Sequence, residues 1–135
     1  RNGADVTRVR KLFRENAAEY KAKADAVSQA EIYRNAYAIS ICHSEGIASP
    51  TVVGAQAANE LLDIRGVKAS FVLTEYQNKL FFSARSIDEV NVQVIMEQLG
   101  GGGHQTMAAT QLKGCTIQEA KEQLLLILEA QENEN

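Results

Sequence analysis

The sequence predicts a mixed α/β fold (α+β): a mixed β-sheet of about four to five strands flanked by helices, with a long N-terminal linker helix. Three observations carry that expectation. Apolar residues recur at steps of three and four along residues 5–26, which is one face of a helix. Three short runs rich in β-formers, residues 36–42, 67–75 and 80–86, are bounded by turn residues. Two helix starts carry capping signals, Ser49-Pro50 and Thr116-Ile117-Gln118-Glu119.

Taken in order, Val6, Val9, Phe13, Ala17, Tyr20 and Ala24 line the first helix, and Arg8, Arg10, Lys11, Arg14, Lys21 and Lys23 occupy its other side. So narrow a stripe on so long a helix suits one that leans on a partner or joins two domains. Residues 28–35 read as transitional. The run Ala36 to Cys42 is apolar enough for a buried strand. Ser49 can accept from the free amides of a first turn, and Pro50 suits the first helical position, where its missing N–H had no partner. That helix is expected to run to Gly66 as its cap. Val67–Glu75 and Leu80–Ser86 read as the two arms of a hairpin about Gln77-Asn78-Lys79. Val90–Leu99 reads as a helix with Val90, Val94 and Leu99 inward, stopped by Gly100–Gly103. Ala108–Leu112 reads as one more strand. Thr116 and Glu119 have the spacing of a capping box. The last helix is expected to fray into the polar tail 131–135.

At 135 residues and 14.8 kDa the chain fits one domain, and it can bury roughly two-thirds of its unfolded surface without a disulfide or metal staple. Hydrophobic residues at 45% and charged residues at 23% exclude disorder over most of the length. The longest apolar run, Leu124–Leu128, is far short of the ~20 residues of a membrane span. No secretory leader is read at the start. The chain opens Arg1-Asn2-Gly3 without an initiator methionine, as a piece of something longer would. Cys42 and Cys115 read as cytosolic thiols. The net charge of −3 argues against a general nucleic-acid coat. Charge is uneven: residues 1–34 carry eight Lys/Arg against five Asp/Glu, and residues 86–135 carry two against eight. Any anion site must come from local geometry.

The most specific motif is Gly100-Gly101-Gly102-Gly103-His104. Four glycines cost folding entropy and contribute no packing. They do let backbone N–H groups approach an anion, and a following His can donate to a phosphate oxygen or stack on a base. A flexible linker between a helix and a strand fits the same spacing. In Ser83-Ala84-Arg85-Ser86, Ser83 and Arg85 point to one face of a strand, which suits a phosphate held by a planar two-pronged contact. A strand-end Arg reaching solvent fits as well. His43, His104, Cys42 and Cys115 have the wrong number and spacing for zinc, so no metal ligand is assigned. No acyl-transfer triad and no P-loop is visible. A domain with these features would bind phosphates without cutting them, and no catalytic residue is assigned.

Gly101-Gly102-Gly103-His104 followed by Ala108-Ala109, about fifteen residues after Ser83-Ala84-Arg85-Ser86, resembles the DHH-associated domain of DHH-family phosphoesterases. Residues 54–62, 66–72 and 106–111 resemble most the bacterial membrane-anchored cyclic-di-AMP phosphodiesterases of the GdpP/YybT type. Many relatives have Ala-Ala-Gly after the His, where this chain has Ala108-Ala109-Thr110; that detail agrees with the cyclic-dinucleotide group.

The resemblance implies a linker in residues 1–30 and a substrate-binding domain in residues 31–130. It also implies a preceding DHH domain holding two divalent metals, usually manganese, in a parent anchored at the cytoplasmic face of the bacterial membrane. This piece would then contain no cofactor and make no membrane contact. Alone it would be inactive. Ser83 and Arg85 would hold a phosphate, the amides of Gly101, Gly102 and Gly103 would line it, and His104 would contact phosphate or adenine. The implied partners are a cyclic dinucleotide or short oligonucleotide, the DHH domain, and a second copy as a homodimer mate. Single-stranded nucleic-acid binding, as in DHH-family exonucleases or oligoribonucleases, is the alternative, though such platforms demand exposed aromatics. Asn59 and Cys115 are left without a role.

Overall fold

The computed structural model describes residues 17–87 and 89–134. Residues 17–28 form the described part of α1; the predicted helical residues 5–16 lie outside the described residues. There follow β1 (Glu31–Tyr33), β2 (Tyr37–Cys42), α2 (Pro50–Leu61), β3 (Ala69–Tyr76), β4 (Lys79–Ser86), α3 (Val92–Gln98), β5 (Gly102–His104), β6 (Met107–Leu112) and α4 (Ile117–Glu134). One six-stranded sheet runs β1-β2-β3-β4-β6-β5, with β2 and β3 parallel across α2 and every other pair antiparallel.

The α+β expectation holds, with two short edge strands added. β1 falls in the stretch read as transitional. It pairs with β2 through a turn whose central residues, Arg34 (φ 52) and Asn35 (φ 60), both lie in the left-handed region, closed by Ala36 N donating to Tyr33 O at 3.2 Å. That twist matches the hairpin's own. Gln77 (φ 53) and Asn78 (φ 63) close the β3–β4 hairpin in the same way. β5 lies inside the glycine run, a composition with no strand propensity, and exists because β6 offers it an edge.

Four local expectations are corrected. Ser49 stands at the N-cap of α2, but with ψ at 70° its hydroxyl makes no capping bond; only its carbonyl serves, accepting from Val53 N at 3.2 Å. α2 ends at Leu61 with Leu62 as a right-handed cap, and Gly66 (φ 90) instead turns the chain towards β3. α3 is capped by Asn91, whose side chain accepts from Gln93 N and Val94 N. That start sets the inward stripe at Val92, Ile95, Met96 and Leu99, and leaves Val94 exposed. The predicted fraying from Gln131 does not occur: α4 continues through Glu134, and Tyr37 Oη donates to Glu132 Oε1 at 2.8 Å. The capping box of α4 forms as expected, Glu119 N donating to Thr116 Oγ1 and Thr116 N to Glu119 Oε1.

Strand alternation divides the core in two. On one face Tyr37, Ile39, Phe71, Leu73, Leu80, Phe82 and Ala84 pack against Ile95 and Met96 of α3 and Leu124 and Leu128 of α4. Opposite, Ala38, Cys42 and Val72 pack under α1 (Ala26) and α2 (Val53, Ala57, Leu61). Each large side chain so buried contributes about 1.5–3 kcal/mol. Among the described residues α3 packs on β4, β5 and β6, whereas α2 packs mainly on β2, β3 and β4. Among the described residues, the α2 side of β5 and β6 is therefore left largely open.

Candidate functional site

Cross-strand register builds the open face row by row, because directly paired residues point to the same side of the sheet. One row is Ser70, Arg85, Met107 and His104; the next is Val72, Ser83, Ala109 and Gly102; the third is Thr74, Phe81 and Gln111. Each row starts buried beneath α2 and reaches an exposed residue on β6, at Met107, Ala109 and Gln111. The structure thus brings Ser83, Arg85, Gly102 and His104 together on one surface. Two motifs separated in sequence by α3 meet because β6 inserts between β4 and β5.

The glycines divide by task. Gly100 (φ 87) follows the last turn of α3, and its amide donates to Glu97 O at 3.0 Å. Gly101 cannot carry a side chain: a Cβ there would stand 2.1 Å from Ala109 O. Its amide donates to Met96 O at 2.8 Å, so of the three amides expected to line an anion this one is spent on the helix end. Gly103 (φ 146) presses on β6, where a Cβ would meet Met107 O and the Ala108 Cα at 2.5 Å. Gly100 and Gly102 both have open space where a Cβ would be, but of the four only Gly102 combines that space with a φ outside the left-handed region.

The β5–β6 turn is held from outside. Ser86 N donates to Thr106 O at 3.0 Å and Val92 N to Gln105 O at 2.9 Å. Ser86 Oγ lies 2.6 Å from Val90 O and 3.2 Å from Gln105 O. On the far side, Thr110 Oγ1 donates to Leu99 O at 2.9 Å. His104 therefore sits on a hairpin fixed at both ends. Sequence reasoning gave Ser86 and Thr110 no site role; their only signal was their place inside the two motifs.

Arg85 is the electrostatic centre. Its guanidinium is half-buried, Nη1 donates to Ala84 O at 2.8 Å, and Nε is buried without a hydrogen-bond partner. No carboxylate pairs with it among the described residues. Burial lowers its pKa, yet an arginine stays charged at neutral pH. A desolvated cation with an unsatisfied donor is a ready anion ligand.

Other candidates lie elsewhere. Cys115 packs against the core on the opposite face, and Cys42 is buried under α1 and α2, where burial pushes its thiol pKa up. Asn59 is exposed on α2. Two hollows of about 200 and 240 Å³ open around His43, between α1 and the end of β2, and contain none of the predicted residues. Among the described residues no three His, Cys, Asp or Glu side chains gather as a metal site.

Residues 34–134 match the DHHA1 domain family. The chain belongs to that family. It is 46% identical over 129 residues to the cyclic-di-AMP phosphodiesterase PdeA of Listeria monocytogenes, a match covering 95% of this chain and 20% of the relative. It is 44% identical over 123 residues to the cyclic-di-AMP phosphodiesterase GdpP of Geobacillus thermodenitrificans, covering 90% and 18%. The chain thus spans about a fifth of the length of these relatives. An exopolyphosphatase-related protein from Bacteroides fragilis shares the fold, with a TM-score of 0.73 at 20% identity over 83% of this chain and 34% of that one. In this DHHA1 domain the glycine–histidine motif is a strand edge with one ungoverned position, Gly102, and no loose linker.

Proposed function

We propose that this chain is the substrate-binding domain of a metal-dependent phosphodiesterase that hydrolyses cyclic-di-AMP to linear diadenylate. The observation that carries the reading is Arg85: a half-buried guanidinium with an unpartnered Nε, on the same open face as Ser83 and His104. The two relatives named as cyclic-di-AMP phosphodiesterases supply the ligand class. In this reading Arg85 and His104 hold a phosphate, with Ser83 beside them and the β5 backbone at Gly102 and Gly103 along its edge.

The catalytic ions belong to a preceding DHH domain, joined through residues 1–30. Such ions lower the pKa of a bound water and clamp a scissile phosphate. This domain's share is to grip and orient the dinucleotide. The placement of α1 supports that division, since it packs on the same side of the sheet as the open face. A domain preceding α1 would approach the ligand from that side. Among the described residues no helix is long and apolar enough to cross a membrane, so an anchor of the parent belongs to another part of it.

The test is calorimetric titration of the chain with cyclic-di-AMP, linear diadenylate and a short oligoadenylate, beside Arg85→Ala and His104→Ala. Loss of one charge-assisted contact costs about 1.5–3 kcal/mol, at least tenfold in affinity. A dinucleotide preference weakened that much in both variants is expected. Equal binding by wild type and Arg85→Ala would refute the assignment. Tightest binding to the oligomer would point to single-stranded nucleic acid instead.

A further inference from the structure

We propose that Thr110 is a positioning residue: it pins the start of β5 to the end of α3 and so keeps His104 on the same face of the sheet as Arg85. Its consequence for anion binding rests on the phosphate reading of those two residues. Register is what is at stake, because sliding a strand by one residue turns every side chain to the opposite face. β5 has little of its own to resist sliding. Two of its three residues are glycines and His104 is exposed, so no side chain of the strand is anchored in the core.

The turn does not fix the register either. A two-residue hairpin loop matches the twist of its strands when left-handed residues occupy it. Arg34 with Asn35 and Gln77 with Asn78 do so in the other two hairpins, but Gln105 and Thr106 both lie outside the left-handed region. Backbone bonds from Ser86 N and Val92 N hold this tip instead. At the open end Thr110 supplies the corresponding hold. It is buried on the α3 side of the sheet, paired with Phe82, and its hydroxyl is spent on Leu99 O at 2.9 Å, the last carbonyl before the glycines. It also wedges against bare backbone, since a Cβ on Gly101 would stand 2.5 Å from the Thr110 Cβ. A one-residue slide of β5 would carry Leu99 O about 3.3 Å along the strand, beyond the reach of that hydroxyl. Thr110 touches no ligand on the open face; it acts through the height of β5.

The experiment is nuclear magnetic resonance of the isotope-labelled chain as wild type, Thr110→Val, Thr110→Ala and Thr110→Ser. Ser40→Ala is the control for lost stability alone, because Ser40 Oγ donates to Ala26 O in the opposite layer. Two readouts are taken below each variant's unfolding temperature: the cross-strand contact between His104 and Met107 in the free chain, and the shifts of Arg85 and His104 on titration with inorganic phosphate. Thr110→Val and Thr110→Ala, which lack the hydroxyl, are expected to lose the contact and to bind phosphate about tenfold more weakly. Thr110→Ser and Ser40→Ala should keep both. Two hydroxyl-free variants of different size guard against one that fails to fold. A wild-type contact in the hydroxyl-free variants, or a loss matched by Ser40→Ala, overturns the pin. A lost contact with unchanged phosphate affinity overturns the positioning role. If phosphate shifts neither Arg85 nor His104 in the wild type, the phosphate reading fails, and the contact alone decides whether Thr110 sets the register.

Discussion

Arg85 and His104 are register partners of the same residue, Met107, one from each side of β6. Two strand spacings set their Cα atoms roughly 10 Å apart, on one face, with only a thioether between them. An anion bridging them needs no rearrangement of backbone, only of two side chains. The arrangement depends on the β5–β6 hairpin staying in register, and the residues that fix it are open to test.

Ser86 is the first of these. Replacing it with Ala leaves Val90 O and Gln105 O without their hydroxyl neighbour and should cost about 1–2 kcal/mol. Urea denaturation gives the stability. Faster hydrogen exchange at residues 102–107 than in the rest of the sheet would show that the loss is local to the His104 hairpin. Uniform acceleration would show that Ser86 merely stabilises the whole domain.

The glycine run should separate under substitution by Ala. Gly101→Ala and Gly103→Ala drive a methyl into β6 backbone and should destabilise by about 3 kcal/mol or more. Gly100→Ala should cost about 1 kcal/mol, because only its left-handed φ opposes a side chain. Gly102→Ala should be neutral or slightly stabilising. Denaturant midpoints of the four variants rank them directly, and a Gly102→Ala as damaging as Gly101→Ala would contradict the geometry.

Much of this was legible in the chain. The paired β3 and β4 runs, the Thr116 capping box and the same-face placement of Ser83 and Arg85 all follow from local periodicity and capping chemistry, which do not need the rest of the fold. The missed features are tertiary. β1 requires Arg34 in a left-handed conformation that arginine seldom adopts. Here Arg34 lies over the Tyr33 ring at 5.5 Å, its Nε donates to Tyr33 Oη, and Nη2 pairs with Glu129 of α4. β5 requires β6. The final turn of α4 reads as a polar tail because nothing local announces that Tyr37, 95 residues earlier, will bond Glu132.

That same bond predicts an alkaline weakness. Burial, then the bond to Glu132, pushes the Tyr37 phenol up to about 12 from an ordinary 10.0. The unfolded chain releases this proton at the lower pH, so the folded state holds it more tightly. Its contribution is fully present below about pH 10 and is lost as pH rises towards 12. Denaturant midpoints measured across that window should fall with pH, and Tyr37→Phe should flatten the fall. An unchanged slope in the variant would assign the alkaline loss to another group.

Thr116→Ala removes the acceptor for Glu119 N and should cost about 1 kcal/mol, as a lost N-cap does. Thr116→Ser keeps the acceptor and should recover most of it. Thermal melts of the pair suffice, and equal losses in both would mean that the hydroxyl bond is not what Thr116 contributes.

The two faces of the sheet also decide how the molecule can be handled. α3 and α4 back the surface opposite the open rows, and Leu126 on α4 is 68% exposed. A cysteine placed at Leu126, with Cys115 replaced by serine, would give an attachment point for a solid support or a fluorophore. The open face would then look outward from the chip, whereas anchoring through α1 would turn it towards the surface.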